Sequence, residues 1–151
     1  MIERYTLSRM GAIWTQRRKY EAWLEVELAV CEALEEVGKV PKGTAAHVRR
    51  KVTIDPDRID AIEKVTKHDV IAFLESVAEQ AGPKARYIHA GLTSSDVVDT
   101  GLALVNRVRQ RVRDEGTTDV VEMFKEELAL LLDPEDVSIW DWYDQDVLLV
   151  K

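Results

Sequence analysis

The sequence contains a single cysteine, Cys31, among 151 residues, and this limits the kinds of site that it can hold. One cysteine cannot form an intrachain disulfide or a Cys-rich metal site. No apolar run approaches the roughly 20 residues of a membrane-spanning helix, and MIERYTLSRM is not expected to be a signal peptide. The sequence also lacks a P-loop, a GxGxxG loop and a zinc-binding spacing. We therefore expect a cytoplasmic protein that binds no metal ion or other cofactor and no membrane.

Charge is distributed unevenly along the chain. Residues 1–113 hold 19 Lys and Arg against 16 Asp and Glu, whereas residues 114–151 hold 2 against 12. So acidic an end argues against a nucleic-acid-binding surface there. The change in composition near Asp114 is the clearest sign of a domain boundary, and we divide the chain into residues 1–113 and residues 114–151.

Apolar periodicity predicts that the first of these parts is helical. Apolar residues recur at three- and four-residue steps over 15–37, on two faces, which is typical of a helix central to a bundle. A short basic helix is predicted over 44–51. Asp55 as N-cap and Pro56 at the first helical position open another helix. Further helical patterns follow, the last over 95–113.

Residues 114–151 predict a different structure. An amphipathic helix over 120–132 is followed by VSIWDWY and VLLV, two short strands on either side of a turn. Such a hairpin is marginal alone, so Trp140 and Trp142 need cover from a helix, the rest of the chain or a partner. The predicted fold class is mostly α, with a helical N-terminal domain followed by a small helix plus β-hairpin (α+β) tail.

The densest group of polar and titratable residues is RYIHAGLTSSDVVDT, residues 86–100. His89 comes just before a glycine turn, and Thr93 with Asp96 three residues later is typical of a capping-box helix start. Such a helix end offers free backbone N–H groups and a positive dipole end, which suit a carboxylate or phosphate. An ordinary N-cap is the competing interpretation, because Thr, Ser and Asp are the usual cap residues.

The other two histidines lie in different surroundings. His68 stands between Lys67 and Asp69 at a predicted junction of two helices. An adjacent carboxylate can raise the basicity of a histidine. Alternatively, Thr66 or Asp69 caps the junction and His68 is merely exposed. His47 lies among basic residues and is predicted to be a solvated surface histidine.

Two motifs together carry a family resemblance: TKHDVIAF around His68 and RYIHAGLTSSDVVDT around His89. With IERYTLSRMGAIW and KYEAWLEVELAVCEAL they resemble the N-terminal domain of adenylosuccinate lyase, of the fumarase/aspartase superfamily, over about residues 1–112. The resemblance implies an all-helical domain of an enzyme of purine and AMP biosynthesis. That enzyme eliminates fumarate from adenylosuccinate: a base removes a proton next to a carboxylate, and an acid protonates the leaving nitrogen.

The resemblance also implies residue roles. Arg4 and Tyr5 correspond to a substrate-binding pair on the nucleotide side, although Arg4 alone would pass for a surface arginine. His68 corresponds to a histidine that assists the acid, and His89 to a second active-site histidine. Thr93 and Ser94 correspond to a pair that holds a succinyl carboxylate. His68 and His89 are thus the expected catalytic residues, and the expected substrate-binding residues are Arg4, Tyr5, Lys67, His68, Asp69, Thr93 and Ser94.

The sequence departs from the family in one important respect. The family's acid is a histidine in a later Thr-His motif and its base is a serine in a Ser-Ser-containing signature loop, and neither motif occurs after Arg113 in this chain. Family sites are also assembled from several subunits of a tetramer. We therefore expect weak binding of an adenylosuccinate- or AMP-type nucleotide at most, no activity of this chain alone, and a homo-oligomer or a protein partner bound through the tail. The alternative is a truncated or chimeric protein-interaction module whose acidic, Trp-bearing tail binds a partner.

Overall fold

The computed structural model describes residues 8–115 and Glu126. The regular structure of residues 8–115 is helical and contains no strand, which confirms the mostly-α prediction for this part. The predicted hairpin, with Trp140 and Trp142, lies outside the described residues, as do Arg4 and Tyr5. The helices in chain order are α1 (Ser8–Ile13), α2 (Gln16–Glu36), α3 (Thr44–Lys51), α4 (Pro56–Thr66), α5 (Asp69–Ala81), a 3₁₀-helix (Gly82–Tyr87) and α6 (Ser94–Glu115).

Helix α2 lies at the centre of the packed helices, as its two apolar faces predict. Its N-cap is Thr15, whose hydroxyl accepts the Arg18 N–H at 3.1 Å. Its end is followed by Gly38 at φ 75°, a left-handed position that suits glycine. The helix packs against α3, α4 and α6. Because it is covered on several sides, α2 buries most of its middle section.

Helices α3 and α4 begin in different ways. At the start of α4 the Asp55 carboxylate accepts the Arg58 N–H at 3.2 Å, and Pro56 takes the first position, as predicted. At the start of α3, Gly43 has no side chain to offer. The Glu35 carboxylate of α2 caps this helix instead, and it accepts the backbone N–H groups of Gly43 at 2.6 Å and Ala45 at 2.7 Å. The bond from Ala45 is the main reason that the pKa of Glu35 lies below its usual value.

Three aromatic rings form the middle of the core. Trp23 meets Tyr20 edge-on with ring centroids 5.3 Å apart and meets Phe73 in the same way at 5.7 Å. Burial raises the pKa of Tyr20 to about 12. A second apolar cluster joins α1, α2 and α6, and its buried members are Ile13, Ala22, Leu104, Val105, Val108 and Val112. The two clusters fix α2 between α5 on one side and α6 on the other.

His47 is not the solvated surface histidine that its basic neighbours predicted. It is half-buried, and its Nε2 lies 3.1 Å from the carbonyl oxygen of Ala81 at the end of α5. The prediction was wrong because α3 packs against α5 and the 3₁₀-helix, which only the tertiary structure reveals.

Helix α6 continues to Glu115, past the predicted domain division after residue 113. The division itself stays a prediction, because almost all of residues 114–151 lie outside the described part. Glu126 pairs with Arg111 of α6, Oε2 to Nη1, at 2.8 Å. None of the described helices is both long and apolar enough to cross a lipid bilayer.

Candidate functional site

His89 is held by a buried carboxylate that the sequence analysis did not identify. Glu27 of α2 accepts the backbone N–H of His89 at Oε2, 2.8 Å away, and its Oε1 lies 2.6 Å from Nδ1 of the same residue. The Glu27 side chain is 0% exposed and that of His89 is 22% exposed. The carboxylate therefore fixes both the main chain and the ring of His89, from 62 positions away in the sequence.

The electrostatics of this pair balance two opposing effects. Burial raises the pKa of Glu27, while the hydrogen bonds and the charge of His89 lower it. At 2.6 Å one proton must lie between Oε1 and Nδ1. The backbone N–H donates to Oε2 in any protonation state, so the second oxygen always acts as an acceptor. The remaining ring nitrogen of His89, Nε2, is thus the one available for other chemistry.

His68 is the N-cap of α5. Its Nδ1 accepts the Ile71 N–H at 3.4 Å, and its carbonyl accepts the Ala72 N–H at 3.0 Å. Thr66 does not cap this helix, whereas Asp69, its first residue, contributes by accepting the Val70 N–H at 2.8 Å. The alternative was right about exposure, because the His68 side chain is 42% exposed.

Asp69 competes with Ile71 for the same nitrogen of His68. Its Oδ1 lies 3.7 Å from His68 Nδ1, an ion pair only when the ring is protonated. Accepting from Ile71 instead requires an unprotonated Nδ1, which places the proton of the neutral ring on Nε2. In that state the exposed edge of His68 is a hydrogen-bond donor.

Two predicted site residues have a strained backbone. Among the non-glycine residues of 8–115, those with positive φ are Lys67 at 55° and His89 at 65°. Such positions are uncommon among non-glycine residues, although Asn, Asp and His adopt them more often than the rest, and strained positions concentrate at functional sites. Lys67 is the C-cap of α4, and its N–H donates to the carbonyl oxygen of Glu63 at 2.8 Å. The next residue, His68, is the N-cap of α5.

Thr93 and Asp96 form the predicted capping box at the start of α6. The Asp96 carboxylate accepts the Thr93 N–H at 2.6 Å and the Thr93 hydroxyl at 3.0 Å. In return, the Asp96 N–H points to the Thr93 hydroxyl at 3.4 Å. Ser94 is the first residue of α6. The Thr93 hydroxyl donates its single proton to Asp96, so an anionic ligand at this helix end would have to compete with Asp96 for it.

An apolar cavity of ≈ 270 Å³ lies between the start of α2, the start of α5 and the middle of α6. Asp69 and Lys19 are its charged lining residues, and the remaining wall includes Trp14, Trp23 and Leu102. Asp69 is the only predicted site residue among the lining residues. The cavity thus adjoins the His68 cap, but it does not contain the hydroxyls of Thr93 and Ser94.

The structure places the predicted residues in three separate places rather than in one closed cluster. These are the α4–α5 junction with Lys67, His68 and Asp69, the turn at His89, and the start of α6 with Thr93 and Ser94. Within residues 8–115, no hydrogen bond or ion pair joins His68 to either of the other two places. No group of three or more His, Cys, Asp or Glu in this part is arranged to hold a metal ion.

Glu27 is the residue that sequence reasoning missed. A signal was present, because Glu27 interrupts the apolar face formed by Trp23, Leu24 and Cys31 at helical spacing. A glutamate in such a position is almost never fully buried unless it is paired. Its partner could not be identified, because nothing local in the sequence connects α2 to the turn at His89.

A comparison with solved structures defines the class of fold. The chain is similar to a fumarate lyase from Mesorhizobium sp. BNC1, with a TM-score of 0.56 and 23% sequence identity, over 70% of this chain and 28% of that one. At this identity the likeness concerns the fold alone. The helices described above are thus arranged as in part of that protein.

The relatives found by sequence comparison are adenylosuccinate lyases. The chain is 55% identical over 104 residues to the adenylosuccinate lyase of Synechocystis sp., covering 69% of this chain and 24% of that protein. It is 50% identical to those of Aquifex aeolicus, over 71% of the chain, and Thermotoga maritima, over 70%. Over this share it is homologous to adenylosuccinate lyases, and it spans about a quarter of their length. No family model matches the chain.

Proposed function

We propose that this chain supplies the substrate-holding part of an adenylosuccinate-lyase-type site, in the cytoplasm, and does not catalyse the elimination alone. The observation that carries the proposal is the 50–55% identity to adenylosuccinate lyases, over a share of the chain long enough to include both histidine motifs. Adenylosuccinate, the substrate for which those relatives are named, bears a phosphate and two carboxylates, so the groups that hold it must favour negative charge.

The two motifs occupy helix ends of the required polarity. His68 caps α5, which has 13 residues, and Thr93 and Ser94 begin α6, which has 22. Each such end carries a partial positive charge, although side chains already accept some of its backbone N–H groups, such as those of Val70 and Ile71 at the start of α5. Carboxylate or phosphate oxygens are suitable partners for both. In this arrangement Ser94 and Thr93 hold a succinyl carboxylate, while Lys67 and His68 face the phosphate and leaving-group side.

Each histidine has its own part in this proposal. Neutral His68 with its proton on Nε2 donates a hydrogen bond to an anionic or leaving group, and Asp69 stabilises the ring once it is protonated. His89 is anchored through Nδ1, so its Nε2 meets the ligand. Arg4 and Tyr5 would complete the nucleotide side.

The proposed lack of activity follows from missing groups at the reacting atoms. Elimination needs a base at the proton next to the carboxylate and an acid at the leaving nitrogen, each within hydrogen-bonding reach. The resemblance assigns these roles to Thr-His and Ser-Ser motifs beyond the matched part, and no such pair occurs in residues 114–151. Holding a substrate without them lowers no barrier, because catalysis depends on groups that stabilise the transition state.

Two measurements test this proposal. Titration calorimetry of the purified chain with adenylosuccinate should show binding that Ser94→Ala weakens and Ser95→Ala does not, since Ser95 is the matched neighbouring hydroxyl. A coupled assay should detect no fumarate. Fumarate release would contradict the proposed inactivity, and equal affinity of both serine variants would contradict the assigned carboxylate site.

A second candidate, a protein-interaction module, is favoured by the acidic composition of residues 114–151, with 12 acidic against 2 basic residues. Under this proposal the helical part is a scaffold, and the tail binds a protein partner or a second copy of the chain. Trp140→Ala with Trp142→Ala would then change the size of the chain on a sizing column without affecting nucleotide binding. An unchanged elution volume would leave this candidate without support.

A further inference from the structure

Glu27 is a carboxylate in a place where carboxylates are rarely found. Its side chain is 0% exposed in the middle of α2, between the aromatic cluster and the second apolar cluster. Removing a charged group from water costs several kcal/mol, and a partner with good geometry must offset this cost. A hydrophobic residue would pack here without such a cost, so the contacts that Glu27 makes are its distinguishing feature.

Both carboxylate oxygens are used on one residue. Oε2 accepts the His89 N–H at 2.8 Å and Oε1 meets Nδ1 at 2.6 Å, so two bonds hold His89 at once. The backbone at His89 has φ 65°, a left-handed conformation that is uncommon among non-glycine residues, although histidine adopts it more often than most. The bond to the N–H stabilises this turn, and the bond to the ring fixes the direction of the imidazole.

We infer that Glu27 is a positioning residue that fixes the orientation and the tautomer of His89, leaving Nε2 as the atom presented to a ligand. When the ring is neutral, an ionised Glu27 requires the proton on Nδ1, so Nε2 is an acceptor. His68 has the opposite arrangement, because its Nδ1 accepts from Ile71 and its Nε2 carries the proton. The two histidines thus present different hydrogen-bonding groups, one a donor and one an acceptor.

The inference deepens the proposed function, on which it rests for the ligand that Nε2 would meet. A purely structural role for Glu27 would require only that its charge be satisfied, whichever tautomer His89 adopts. The position of the ring proton therefore separates a positioning role from a structural one. It can be measured without any ligand.

The experiment is nitrogen NMR of the His89 ring in the full chain, at a pH where the ring is neutral. The wild type should carry its proton on Nδ1. In Glu27→Gln the amide oxygen should keep the His89 N–H, so the amide NH₂ faces Nδ1 and the proton moves to Nε2. Val108→Ala is the control, because it weakens the second apolar cluster without touching the pair. It should leave the tautomer unchanged.

A wild-type ring protonated on Nε2, or a tautomer unchanged in Glu27→Gln, would overturn the inference. The wild-type spectrum alone decides it if Glu27→Gln does not fold. In a parallel titration with adenylosuccinate, Glu27→Gln should bind roughly tenfold more weakly, comparable with the loss of an outer partner of a metal-bound histidine. If the wild type binds no adenylosuccinate, the proposed function fails, while the tautomer still decides the role of Glu27.

Discussion

Gly101 of α6 lies directly against the indole ring of Trp23 of α2. A Cβ atom at position 101 would stand 2.8 Å from Cδ1 of Trp23, closer than real side chains approach. Tyr20 and Phe73 pack edge-on against the ring and restrict its movement, although the ring also lines the cavity beside Asp69. This contact sets the separation between α2 and α6, and so the position of α6 relative to the Glu27–His89 pair.

Gly101→Ala should therefore destabilise the chain, although alanine normally improves a helix. Overpacking of a dense core costs about 1–3 kcal/mol, against a gain of about 1 kcal/mol in helix propensity. Urea unfolding should show a lower midpoint. The control is Ala103→Gly on the exposed side of α6, which should lose about 1 kcal/mol through propensity alone. A Gly101→Ala variant more stable than wild type would mean that the two helices are not in close contact.

Glu35 should make stability depend on pH in a predictable direction. Its pKa in the folded chain lies below the usual 4.5, mainly because of the Ala45 N–H. A lowered folded pKa adds stability that is fully present above the unfolded pKa and lost as pH falls through the folded pKa. Glu35→Gln should cost about 1 kcal/mol near neutral pH, as loss of a helix cap does. The difference from wild type should vanish in acid.

Glu36→Gln is the matched control, since Glu36 is the exposed neighbour on α2. Its unfolding midpoint should follow the wild type at every pH. If Glu35→Gln and wild type stayed equally far apart in acid, the carboxylate would not be the source of the stability. Urea unfolding at neutral and acidic pH measures both variants.

His68→Asn should separate stability from binding. Asparagine is among the best N-cap residues, whereas the His68 cap bond is long at 3.4 Å. The variant should unfold at the same or a higher temperature and yet bind adenylosuccinate more weakly, because the imidazole is lost. The same substitution at His47 removes the contact to Ala81, so it should lower stability and spare binding. Loss of stability without loss of binding in His68→Asn would make His68 a structural cap only.

Asp96→Asn should lower the stability of the chain slightly and raise its affinity for an anionic ligand. The amide oxygen can still accept from Thr93, but the negative charge beside the helix end is removed. Stability should fall by a few tenths of a kcal/mol, because an acidic first turn favours the helix dipole. Affinity for an anionic ligand should rise, since two like charges about 4 Å apart repel by roughly 1 kcal/mol even in water. Asp99→Asn, one turn further along, should change affinity much less in calorimetric titrations.

The helices could be predicted from the sequence wherever local signals mark their ends. Asp55 and Pro56 set the start of α4, and the Thr93–Asp96 box sets that of α6. These signals act within one turn of helix, so they work without knowledge of the fold. Helix α3 was predicted with the bounds that the structure shows, although its cap comes from Glu35, eight positions before Gly43.

The site was less predictable because its contacts are not local. The motifs indicated His68, His89 and Thr93, but not the carboxylate that holds His89. Glu27 and His89 meet only because α2 packs on α6 and the turn before it, which periodicity cannot specify. His47 was misjudged for the same reason. Burial of a charged residue is decided by its partner, and partners distant in sequence appear only once the fold is known.

The α4–α5 junction, the turn at His89 and the start of α6 should act together as one anion-holding site. Amide NMR of the full chain during titration with adenylosuccinate tests it most directly. The signals of Lys67, His68, His89, Thr93 and Ser94 should move together with a single dissociation constant, while those of α3 stay unchanged. Signals that move in only one of these three places, or with a different dissociation constant in each, would rule out a single site.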